Sequence, residues 1–148
     1  LGRMMMTYDH VFVAGIAMGD AQMMAHAIRC INNAVSYVGP SVIIAYTPCI
    51  EFGLKGGLDA SLQHLKDAVK TGYWILYSFD PRRKDKGENP LSIDSGPPEM
   101  DGLAEMTQSQ ARFKKTAADL PLLRKDLENR WENFRMIAGK CVSVEFEK

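Results

Sequence analysis

Apolar side chains crowd three short stretches of this chain, residues 11–17, 41–46 and 74–79. Residues 41–46 are too few, and too rich in β-branched and aromatic types, to be read first as a helix. Residues 11–17 are apolar on both faces, as expected for a parallel sheet covered on each side. Between these strands apolar positions recur every three or four residues, the pattern of one helical face. Met23, Met24, Ala27, Ile28, Ile31 and Val35 mark a first helix, with Asp20 placed to cap its amino end. Leu58, Leu62, Leu65 and Val69 mark a second, and Gly72 supplies its stop. Strand–helix–strand–helix–strand with these linkers predicts right-handed parallel crossovers and an α/β fold over residues 1–80.

After Asp80 the pattern changes. Residues 81–102 are charged and rich in turn formers, including Ser95-Gly96-Pro97-Pro98, and read as a loop. A helical tail is predicted over 103–140. Leu103, Met106 and Phe113 mark a short helix, and Asp119 caps a longer one that tolerates Pro121 in its first turn. Leu120, Leu123, Leu127, Trp131, Phe134 and Ile137 keep helical spacing along it, and Gly139 closes it. Residues 141–148 alternate apolar and polar, as a terminal strand or the start of a linker. Three strands make a small sheet. With Leu1 in place of an initiating methionine, the expectation is a fragment whose sheet has further strands before Leu1, rather than a complete small flavodoxin-like domain.

Composition narrows the classes. A chain of 148 residues is one domain's worth, enough to bury roughly 68–70% of its unfolded surface. Eighteen basic residues balance eighteen acidic ones, which leaves no electrostatic case for nucleic acid or an anionic membrane. No segment nears the roughly 18 unbroken apolar residues of a membrane span, and no signal-peptide pattern is present. Cys30, Cys49 and Cys141 are too sparse for a disulfide framework and imply a reducing compartment. They also lack the paired spacing of a self-contained zinc or iron–sulfur site.

Few residues suggest chemistry by themselves. His10, His26 and His64 have no glycine-flanked serine elbow to serve, and no histidine–carboxylate pair shows ligand spacing. Gly53-Leu54-Lys55-Gly56-Gly57 follows a strand but lacks the ending of a phosphate loop. Cys49 stands out by position. Thr47-Pro48 stops the second strand, since proline has no N–H for a sheet ladder, and Cys49 follows in the loop where open α/β sheets keep their ligands. A lone cysteine is also a small buried hydrophobe, and the residue alone leaves both readings open.

A resemblance adds to this. Met4-Met5-Met6-Thr7-Tyr8, Val11-Phe12-Val13-Ala14, Gly39-Pro40-Ser41, Tyr46-Thr47-Pro48-Cys49-Ile50, Gly72-Tyr73-Trp74, Asp80-Pro81-Arg82, Asn89-Pro90, Asp94-Ser95 and Arg112-Phe113 occur in an order that resembles the C-terminal region of pyruvate:ferredoxin (flavodoxin) oxidoreductases. The likeness runs from about Leu1 to Gly139. It implies the C-terminal part of a thiamine-diphosphate-binding, parallel-sheet domain of three strands with crossover helices, followed by the helical tail. It further implies a parent enzyme that oxidatively decarboxylates pyruvate with coenzyme A and passes electrons through 4Fe–4S clusters to ferredoxin or flavodoxin. That parent would be a homodimer in the cytoplasm, or in the lumen of an anaerobic energy organelle.

By the same resemblance Cys49 is one thiolate ligand of a 4Fe–4S cluster. Its other ligands lie in the rest of the parent chain. Cys30 reads as core and Cys141 as inert. The family's Gly-Asp-Gly segment for magnesium and thiamine diphosphate is not here, and Asp20 lacks the spacing to replace it, so the chain alone is expected to be inactive. Two alternatives stand beside this: a parent with a fused flavin reductase that uses NADP, and a non-catalytic α/β interaction module.

Overall fold

The computed structural model describes residues 1–113 and 117–140. Among them, strands β1 (Phe12–Ile16), β2 (Ser41–Ala45), β3 (Tyr77–Phe79) and β4 (Leu91–Ile93) form one sheet in the order β2-β1-β3-β4. The α-helices are α1 (Gly2–Met6), α2 (Ala21–Ser36), α3 (Ser61–Lys70), α4 (Leu103–Gln108) and α5 (Leu120–Lys140). The fold is mixed α/β with a helical C-terminal end.

All five residues of β1 are buried because the sheet is covered on both faces. Phe12, Ala14 and Ile16 pack against Ala27 and Cys30 of α2. Val13 turns the other way and joins Tyr77, Phe79 and Leu91 under Met6 of α1 and Phe134 of α5. Gly15 lies beneath Tyr77, where an added Cβ would come within 2.4 Å of the ring, so the absence of a side chain lets Tyr77 lie across β1.

The sheet departs from the expected three parallel strands. β1 and β2 are parallel, Phe12 opposite Ser41 through Ile16 opposite Ala45, with α2 as their crossover. β3 is antiparallel to β1, Gly15 opposite Tyr77 and Val13 opposite Phe79. The cause is the position of α3. A parallel crossover must carry the chain back to the sheet's starting end. Leu65 of α3 instead packs on Ala17 and Met23, just beyond the carboxyl end of β1, and β3 starts from that end. Residues 74–76 precede the strand instead of forming it, and the Trp74 indole N–H donates to the Ile16 carbonyl at 3.0 Å. A fourth strand, β4, pairs antiparallel with β3 inside the stretch expected to be loop.

The buried helix faces also differ from the apolar pattern. α2 buries Met23, His26, Ala27 and Cys30, whose smaller members allow close approach to β1. Met24, Ile28, Ile31 and Val35 stay 42%, 53%, 42% and 82% exposed. α3 buries His64, Leu65 and Ala68 while Leu58 and Leu62 are exposed. In α5, Leu127 and Phe134 are buried, Trp131 is half-buried, and Gly139 lies within the helix instead of closing it. Cys141 and residues 141–148 lie outside the described residues.

Candidate functional site

The loop after β2 is built from both ends. The Tyr46 amide donates to the Ile16 carbonyl at 3.0 Å, which extends the β1–β2 ladder by one bond. Thr47-Pro48 then leaves the sheet, with proline's fixed φ and the extended bias it imposes on Thr47 keeping the path stiff. Cys49 follows as a free, exposed thiol. A single 3₁₀ turn over Ile50–Phe52 comes next, its Phe52 amide donating to the Cys49 carbonyl. Gly53 closes that turn at φ 79°, a left-handed conformation that glycine adopts without strain.

The far end of the loop is stitched to residues 109–111. Leu54 bridges Gln110, the Lys55 amide donates to the Ser109 carbonyl, and the Ala111 amide donates to the Gly53 carbonyl, the last two at 2.8 Å. The segment that follows α4 thereby forms one wall of a cavity of about 100 Å3. Tyr46, Cys49, Phe52, Leu54, Gln110 and Arg112 line it. The Arg112 guanidinium sits 4.8 Å over the Phe113 ring and is the cation among these residues.

Beneath the loop lies His64, only 2% exposed. Its Nδ1 is 2.9 Å from Ser109 Oγ, and the Ser109 hydroxyl donates to the Met106 carbonyl at 2.6 Å. With that proton committed, the Ser109 oxygen accepts from Nδ1–H. Nε2 is then the bare acceptor of the neutral ring, and it faces the Tyr46 hydroxyl at 3.0 Å and the Gln110 amide nitrogen at 2.6 Å. Burial, aided by Arg112 and opposed by Asp67, lowers the His64 pKa, in keeping with an uncharged ring. Burial also raises that of Tyr46, with Tyr73 adding and Gln110 and Arg112 opposing. Tyr46 stacks on Trp74 at 5.4 Å between centroids, which fixes its ring from the other side.

The donor set here is a single thiol. Among the described residues no group of three or more His, Cys, Asp or Glu side chains could hold a metal ion. Cys30 is sealed between α2 and β1 at 1% exposure. An accessible thiol on a stiff loop fits one ligand of a site completed by other polypeptide, and does not make a site by itself. Asp20 accepts the Met23 amide at 2.8 Å and so is occupied as the α2 cap. His64, Ser109 and Gln110 were not singled out by the sequence as partners of this loop. Only the adjacent Arg112-Phe113, among the residues that resemble the family, points to the segment that walls it.

A mixed α/β sheet with a clamped, cysteine-bearing loop at the carboxyl end of β2 thus defines the chain's class. No protein-family model matches it. The Escherichia coli (strain K12) protein named "Probable pyruvate-flavodoxin oxidoreductase" is 38% identical over 151 residues, covering 95% of this chain and 12% of that protein. The Klebsiella pneumoniae pyruvate-flavodoxin oxidoreductase is 34% identical over 148 residues, again 95% of this chain and 12% of the relative. The Euglena gracilis protein "Pyruvate dehydrogenase [NADP(+)], mitochondrial" is 44% identical over 95 residues, 64% of this chain and 5% of its own length. The chain belongs, as a matching segment, to the pyruvate-flavodoxin oxidoreductase family. It spans about 12% of the length of the first two of these curated relatives. No helix among the described residues is long and apolar enough to cross a membrane.

Proposed function

We propose that this chain is the segment of a pyruvate:flavodoxin or pyruvate:ferredoxin oxidoreductase that delivers one thiolate, from Cys49, to a 4Fe–4S cluster. In the intact enzyme pyruvate and coenzyme A give acetyl-CoA, carbon dioxide, two electrons and a proton. The cluster accepts and releases those electrons singly, while thiamine diphosphate and magnesium, held by residues outside this segment, belong to the decarboxylation. The contribution of the present residues is positional. Pro48 and Gly53 shape the loop, Tyr46 and Leu54 anchor its ends, and the thiol is left accessible. Arg112 puts a positive charge on the same cavity wall, which suits a site where negative charge accumulates on reduction.

The observation that carries this reading is the free, exposed thiol on a clamped loop at the carboxyl end of β2, in a chain whose relatives are pyruvate oxidoreductases. The likeness to the Euglena protein supports a second reading of the electron acceptor, NADP through a further domain. Iron content and the electron paramagnetic resonance spectrum of the reduced, intact protein test the ligand. Cys49→Ser should lose about one cluster's iron and its signal, whereas Cys30→Ser should keep both. Unchanged iron and spectrum in Cys49→Ser would return Cys49 to a plain loop thiol.

A further inference from the structure

Both ends of the Cys49 loop converge on one imidazole. Upstream, the Tyr46 hydroxyl meets His64 Nε2 at 3.0 Å, and only stiff Thr47-Pro48 separates Tyr46 from Cys49. Downstream, residues 53–55 bond to residues 109–111 through their backbones, and Ser109 and Gln110 hold the same ring through their side chains. We propose that His64 is a positioning residue: a buried, uncharged imidazole, protonated on Nδ1, that fixes where Cys49 presents its thiolate. It touches neither substrate nor cluster. It acts through Tyr46 on one side and Gln110 on the other. The purpose rests on the reading of Cys49 as a cluster ligand, but the positioning itself does not require a cluster.

The two ring nitrogens separate the roles. Glutamine at position 64 places its carbonyl oxygen near the Nε2 site and keeps an acceptor for Tyr46 and Gln110. Asparagine places its amide near the Nδ1 site, keeps the donor to Ser109 and leaves the loop side without an acceptor. Asparagine also leaves a larger void than glutamine, so Tyr46→Phe, which keeps the volume at position 64, separates the loss of the hydrogen bond from the loss of packing. Two readouts are taken in the intact protein. One is the alkylation rate of Cys49 in the iron-free form, followed by mass spectrometry of its peptide. The other is the paramagnetic resonance spectrum of the reduced, iron-loaded form.

His64→Asn should raise the Cys49 alkylation rate roughly threefold or more and broaden the cluster signal, since the loop loses its hydrogen-bonded anchor. His64→Gln should hold the rate within roughly twofold of the parent and keep the spectrum. Tyr46→Phe keeps the ring and removes only the hydroxyl, so it should repeat the asparagine result even where a substitution at His64 impairs folding. Equal alkylation rates in His64→Asn and His64→Gln, or an unaltered rate in Tyr46→Phe, would overturn the proposal. Iron retained in Cys49→Ser would instead remove the ligand reading, and the alkylation comparison would still decide the role of His64.

Discussion

His26 Nδ1 lies 2.9 Å from Asp94 Oδ2, while Nε2 of the same ring lies 3.1 Å from the Gly15 carbonyl oxygen. Both oxygens are acceptors, so both ring nitrogens carry hydrogen and the buried ring is an imidazolium. Burial alone pushes the His26 pKa down. Its hydrogen bonds to Asp94, Cys30 and the Gly15 carbonyl outweigh that and carry it up to about 10. Asp94 is held below its ordinary value by the His26 hydrogen bond, against burial, with Arg29 assisting. The pair fastens α2 to the residue that follows β4.

The sign of the pH dependence follows from the two shifts. A raised His26 pKa contributes stability in full below the unfolded value near 6.5, and that stability is lost as pH climbs toward 10. A lowered Asp94 pKa contributes above the unfolded value near 3.8 and is lost as pH falls through the folded one. The pair should therefore help most between 3.8 and 6.5. Asp94→Asn should cost roughly 1–3 kcal/mol in that window and less toward alkaline pH. Denaturant midpoints measured across pH for both proteins check this, and parallel profiles would refute it.

Leu127 and Phe134 are the most deeply buried of the described residues of the tail helix. Leu127 is fully buried among Leu103 and Met106, and Phe134 meets Tyr77 at 5.0 Å between ring centroids. Leu127→Ala should cost roughly 2–5 kcal/mol and Phe134→Ala roughly 3–5 kcal/mol, through lost burial and the cavities left behind. Trp131→Ala should cost less than Phe134→Ala because Trp131 is only half-buried. Chemical denaturation of the three variants ranks them, and a Trp131 cost above that of Phe134 would contradict the packing.

Asp20 is a smaller and local test. Its carboxylate accepts the Met23 amide at the start of α2, so Asp20→Ala should cost about 1 kcal/mol and Asp20→Asn much less. Thermal unfolding of the two variants separates a capping role from a general charge effect, in which the two would lose equally.

Local features are legible in the sequence, and those set by distant contacts are not. The doubly apolar stretch 11–17, the Asp20 cap and the strand stop at Pro48 each follow from a few adjacent residues, and β1, α2 and the Cys49 loop stand where they predict. The direction of β3 depends on where α3 packs, which no spacing within residues 74–79 encodes. β4 is three residues with Ser92 at its centre, too short for an alternation to register. On α2 the large apolar residues Met24, Ile28, Ile31 and Val35 stay exposed, and the face that meets β1 is chosen by the close approach of Ala27 and Cys30. The position of Cys49 was legible. Its support was not, because His64 meets partners 18 and 45 residues away in sequence.

Among the described residues β2 ends the sheet and pairs only with β1. Ser41, Ile43 and Ala45 are exposed along it, and the neighbouring α2 and its exit leave Ile31, Val35 and Val38 uncovered. An open edge beside apolar surface is a template for another strand. By itself the 148-residue chain should therefore self-associate through β2 as its concentration rises. A lysine there sets charge against charge when two edges meet, so Ile43→Lys should shift the chain toward monomer. Leu122→Lys, at an apolar and more exposed position on α5, should leave the association unchanged. Light scattering coupled to size exclusion reads both variants. Equal suppression by the two lysines would mean that general surface charge, and not the β2 edge, governs the association.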